Sequence, residues 1–127
     1  MNLEKVIFGA FIILACTLNF GFFVGDIDNP QHHHQLELAA TVVVNLIAMT
    51  LKFGDRTHIG AVHLATSIVA VLQLLAASMV WMWATRIAEL PTEGEVMATV
   101  VSLSGGALVA NFISVALLIG ETLRRTR

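Results

Sequence analysis

The chain is short of most residues that soluble, chemically active domains depend on. Among 127 residues there is one cysteine (Cys16), no tyrosine, two prolines and only 13% charged side chains. A lone cysteine excludes an internal disulfide, a CxxC redox pair and a cysteine zinc site. Soluble domains carry about 25% charged residues, so a soluble fold of this length would lack the polar surface to cover itself. Lys and Arg number 7 against 9 Asp and Glu, for a net charge of −2, and the bases never cluster with aromatics. Nucleic-acid binding therefore has no support. What abounds is apolar: 57% hydrophobic residues and a mean hydropathy of +0.81. A membrane protein is the expectation, and 1–127 suits a single domain.

Four apolar segments stand out, at about 6–25, 36–53, 59–84 and 96–119. Each approaches the ~20 residues that cross ~30 Å of hydrocarbon as a helix. The second is the shortest, with Glu37 and Lys52 placed to reach the interfaces. The expected fold class is thus all-α: a polytopic antiparallel bundle of four transmembrane helices. Lys5 followed by an apolar run and "ILAC" loosely resembles a lipoprotein signal with Cys16 as the lipidated residue. Glu4 and an apolar run that continues nine residues past Cys16 speak against cleavage.

Basic residues orient the spans. One side would hold Lys5, Lys52, Arg56, Arg124, Arg125 and Arg127, the other only Arg86. The positive-inside rule then makes both termini and the "GDRTH" turn cytoplasmic. Asp26, Asp28, Glu37, Glu89, Glu93 and Glu95 fall outside, and Trp81 and Trp83 mark an outer aromatic belt. A cytoplasmic turn cluster of Lys52, Asp55 and Arg56 could form a local ion pair. Alternatively, Arg56 could meet lipid phosphate, as the basic tail could.

Every span carries an amide: Asn19, Asn45, Gln73 and Asn111. An amide facing lipid would be unsatisfied, so these side chains should face inward, either bonding across helices as glue or, with Thr41, forming a polar layer around a permeation path. Glu37, Thr41 and Asn45, four residues apart, share a helix face. His63, Thr66, Ser67, Ala70, Gln73 and Ala77 form a stripe on the third helix. On the fourth, Ser102, Gly106, Ala110 and Ser114 make a small-residue ridge that lets another helix approach, within the chain or from a neighbour.

The external turn "DIDNPQHHHQLE" gathers Asp26, Asp28, His32, His33, His34 and Glu37. Oxygen and imidazole ligands together suit a transition metal, and acids at a membrane edge attract cations. A solvated turn that ends one helix and begins the next is the simpler reading. An EF-hand fails, because Pro30 and Gln31 occupy its fifth and sixth positions, where the sixth requires glycine.

Several stretches resemble known families. "FFVGDIDNP" before a spanning helix resembles the end of the potassium-channel filter, at Val24, Gly25, Asp26 and Pro30. That design selects ions by backbone carbonyls, and the Thr-rich run and second filter glycine are missing here. "NFGFFVGDIDNPQHHH", "LKFGDRTHIGA" and "SLSGGALVAN" resemble a family of small bacterial inner-membrane proteins of unassigned function. The resemblance implies four helices in a bacterial inner membrane and brings no catalytic residue. Small multidrug exporters need a first-helix glutamate, where this chain has only Thr17 and Asn19. Quinone-linked thiol oxidoreductases need cysteine pairs. Haem bundles need facing histidines, and His63 stands alone within a span with His58 five residues away. A serine hydrolase would need an acid near His63 and Ser67.

No enzyme activity and no cofactor are expected, apart from a cation or transition metal at the external turn. The expected function is a small channel-like or transport-associated protein that passes or senses cations as a homo-oligomer in the lipid bilayer. The alternative is a non-catalytic accessory subunit docking onto a larger membrane complex through the fourth-helix ridge.

Overall fold

The computed structural model describes residues 3–24, 35–54, 57–89 and 95–125. These residues are all-helical: α1 (Leu3–Val24), α2 (Gln35–Lys52), α3 (His58–Met82) with a π turn at Trp83–Ile87, and α4 (Glu95–Arg125). The ends obey the usual rules. Glu4, Glu37 and Glu95 lie in first turns and Lys52 in a last turn, complementing the helix dipoles. Thr57 caps α3, its hydroxyl accepting from Gly60 N at 3.0 Å. Between them Gly54 takes φ +93°, the left-handed conformation that lets the chain leave α2 and that a Cβ disfavours. At the far end of α3 the Ala88 N–H donates to Trp83 O at 2.9 Å, five residues back, which widens the last turn.

Three helices are long and apolar enough to cross a membrane: Leu3–Val24, His58–Ile87 and Glu95–Arg124. α2 is not among them. Its 18 residues extend roughly 27 Å and include Glu37, Asn45 and Lys52. α4 is longer than expected and runs to Arg125, beyond Ile119.

The helices pack as neighbours in the order α1, α2, α3, α4 and back to α1, with α3 and α4 most intimately joined. Contacts at matched ends set their senses. Lys5 of α1 meets Glu121 of α4, while Gln73 of α3 lies against Gly106 of α4 and His63 against Ser114. In these two pairs the helices run in opposite directions. Near the end that carries Lys5, Phe8, Ile12 and Ala48 form a small apolar cluster. A larger one surrounds Phe22, Leu38, Leu74, Trp81 and Val100.

Beside these apolar clusters the interior holds many polar side chains, while large apolar ones cover the outside. Asn19, Thr41, Asn45, His63, Ser67, Ser104, Asn111 and Ser114 are each at most 1% exposed. Leu72 at 61%, Val109 at 58% and Phe112 at 50% face outward. Lipid is the solvent in which such a surface costs nothing. Trp83 is among the outward residues, but Trp81 is buried against Phe22, their rings 6.0 Å apart. Only Trp83 could thus serve an interfacial belt.

Candidate functional site: a buried polar seam

The seam is built in two ways. Where α1 meets α4, the Asn19 carboxamide spans a full turn of the opposing helix. With its amide oriented to satisfy both ends, Asn19 Nδ2 donates to Ser104 O at 3.1 Å. Its Oδ1 accepts from Leu108 N and from Asn111 Nδ2, each also at 3.1 Å. One side chain thus addresses the carbonyl and the N–H of a single i, i+4 pair. Such an approach needs a thin helix surface, and "SGGA" provides it. A Cβ on Gly105 would stand 2.8 Å from Phe23 Cε1, and one on Gly106 would stand 2.6 Å from Gln73 Nε2. The paired glycines let α1 and α3 close on α4 from two directions.

Along α2 the same residue types turn inward on their own helix. Thr41 Oγ1 donates to Glu37 O and Asn45 Nδ2 donates to Thr41 O, both at 2.8 Å. The expectation that all the amides bond across helices is corrected here. A side chain that reaches its own i−4 carbonyl is satisfied without a neighbour. Asn45 Oδ1, Ser67 Oγ and Gln73 Oε1 remain buried without a hydrogen-bond partner. Glu37 is half-buried, its Oε1 3.2 Å from where a Cβ on Gly21 would stand.

A hydroxyl–imidazole cluster joins α3 to α4 closer to the Lys5 end. Thr66 Oγ1 donates to His63 O at 2.9 Å and is also hydrogen-bonded to Ser114 Oγ. His63 Nδ1 lies 3.4 Å from Ser114 Oγ. At the Thr66–Ser114 contact either hydroxyl can donate, and the role of His63 Nδ1 toward Ser114 depends on the imidazole tautomer. Phe8 meets the imidazole edge-on with centroids 5.1 Å apart, and Lys52 Nζ sits 4.1 Å from the centroid of that same Phe8 ring. Spacing within α3 pairs His63 with Ser67. The fold pairs it with Ser114, 51 residues away.

The remaining expected site residues divide. Gly106 and Ser114 are turned onto α3 and Ala110 is buried, but Ser102 is exposed. The ridge is corrected to that extent. A strict four-residue spacing drifts about 40° per step around a helix of 3.6 residues per turn, so Ser102 leaves the shared face. Ser104, one turn before Leu108, takes its place in the seam and had no signal beyond its small polar side chain. Asp26, Asp28, His32, His33 and His34 lie outside the described residues, as do Asp55 and Arg56. Gly25 and Pro30 also lie outside them, and Val24 closes helix α1. Among the described residues no group of three His, Cys, Asp or Glu side chains is placed to hold a metal.

No curated protein and no solved structure matches the chain. Residues 32–122 match a family described as a family of unknown function, DUF6394. That span holds α2, α3 and most of α4, and begins after the stretch likened to a channel filter. With 91 of its 127 residues matched (32 to 122), the chain belongs to the DUF6394 family, whose function is unassigned.

Proposed function

We propose that this is a four-span protein of a bacterial inner membrane, both termini cytoplasmic, which passes or senses cations as a homo-oligomer. The supporting observation is the polar seam. Asn45 Oδ1, Ser67 Oγ and Gln73 Oε1 are buried oxygens without partners, inside helices whose outer faces are apolar. Such oxygens attract a cation or its water, because an unsatisfied acceptor in a low-dielectric interior costs about 1–3 kcal/mol. Side chains fill the centre of a single four-helix bundle. Passage would therefore need the helices to part or a pore to form between subunits. Asp26 and Asp28 would gather cations at the outer mouth, with Glu37 below them.

Cation flux into liposomes tests this reading, with wild type compared against Asn45→Leu, Gln73→Leu and the Asp26→Asn/Asp28→Asn double variant. Reduced flux in the variants is expected. No wild-type flux with any mono- or divalent cation across pH would remove the reading and leave the accessory-subunit role. That role would need a surface other than Gly106, Ala110 and Ser114, which are buried or engaged by α3. Topology has its own test. In a Cys16→Ser background, cysteines at Thr57 and Thr122 should react from the cytoplasmic side and one at Glu89 from outside. Equal reaction at Thr57 and Glu89 from one side would deny the third span.

A further inference from the structure

A sizeable cavity lies outside the seam. It is a groove of about 900 Å³ between the start of α3 and the end of α4. Its walls are apolar along Ile59, Val62, Ile113 and Leu117, and at the helix ends it reaches His58 and Arg124. Ile113 and Arg124 are 11 residues apart on one helix, roughly 16 Å, about half of the ~30 Å hydrocarbon thickness. The groove therefore has the depth of one leaflet, with polar groups where headgroups sit. Its acid, Glu121, is held by Lys5 at 3.0 Å, so the charge left at the mouth is that of the exposed Arg124. The same mouth contains Thr57 and His58, at the N-terminus of the 25-residue α3, where backbone N–H groups favour an anion. Gly120 keeps the wall open, because a Cβ there meets nothing within 4 Å.

We infer that this groove is a binding site for one anionic phospholipid. An acyl chain lies along Ile59, Val62, Ile113 and Leu117, and the headgroup phosphate rests between Arg124, His58 and the first turn of α3. Basic pockets between spanning helices take anionic headgroups for this reason: guanidinium and phosphate pair in a setting screened less than in water. A zwitterionic lipid offers the same chains but brings a cationic group to Arg124. Selectivity therefore resides at the mouth and capacity in the walls. The inference requires only that α3 and α4 lie in a membrane, and so stands apart from cation flux.

Native mass spectrometry of the full chain in mild detergent tests it, with phosphatidylglycerol or phosphatidylcholine of identical chains added. Wild type should retain one phosphatidylglycerol in preference to phosphatidylcholine. Arg124→Gln should lower that retention roughly fivefold, the effect of one basic residue at a membrane surface. Gly120→Leu, which fills open space, should lower binding of both lipids while circular dichroism stays unchanged. Arg86→Gln, on the π turn at the other end of α3, should change nothing. Equal retention of the two lipids, or no effect of Arg124→Gln and Gly120→Leu, would overturn the site. So would displacement of the lipid by inorganic phosphate alone, which would mark a site for the free anion. A change of oligomeric state in Gly120→Leu without lipid selectivity would instead assign the groove to a second copy of the chain.

Discussion

Helix α2 and the α1–α4 interface bury the same kinds of side chain and use them in opposite ways. Asn45 donates to the backbone of its own helix and leaves its oxygen without a partner. Asn19 instead reaches two peptide groups and a second amide on α4. The first arrangement would survive if the neighbouring helices moved away, whereas the second exists only while α1 and α4 touch. Burial alone, at most 1% exposure in both cases, does not distinguish them. A buried amide fastens a fold only when its partner belongs to another element. One that bonds locally leaves a polar atom available, and for that reason the proposed cation contacts fall on α2 and α3.

The contrast can be broken most sharply at Asn19. Asn19→Leu removes every one of those cross-helix bonds and strands the Asn111 amide, so it should destabilise the fold by about 2 kcal/mol in a reversible unfolding assay in detergent. Next comes the close approach of α3 to α4 at Gly106. Gly106→Leu should cost about 1–3 kcal/mol by overpacking against Gln73. Much of that loss should vanish when Gln73→Ala is added, a coupling that a double-mutant cycle would read directly. The ion pair at the end of the α1–α4 interface, Lys5 to Glu121, has side chains 37% and 17% exposed. Lys5→Gln should cost only about 0.5 kcal/mol and less at high salt, because water screens the pair. The smallest effect belongs to α2. Asn45→Leu should fall within about 0.5 kcal/mol of wild type, since it removes a local bond together with an unsatisfied oxygen. A loss at Asn45 as large as that at Asn19 would mean that α2 too is fastened through its amide.

Several features of the fold were legible before any coordinates. Helix positions followed from apolar runs interrupted by polar turns, which is local chemistry. The inward placement of Asn19, Asn45 and Asn111 followed from the cost of an amide in lipid. The partners did not follow. Thr41 and Asn45 share a face with Glu37 in the sequence pattern, yet the pattern cannot say whether they bond along that face or across it. Ser114 sat on a ridge of small residues with no sign that it would meet His63 and Thr66. The ridge itself lost Ser102, because four-residue spacing and a 3.6-residue turn diverge over three steps.

What the sequence determined by itself is the solvent. Hydropathy is a sum over neighbouring residues, so three membrane-crossing lengths and an apolar exterior are written in composition and order. What only the tertiary structure decided is the pairing of the polar minority. It sets Asn19 on α4, His63 beside Ser114, and Lys5 on Glu121. Each of those contacts joins residues far apart in the chain, and their meeting depends on helix rotation and on how closely two glycines let backbones come. No local pattern carries that information.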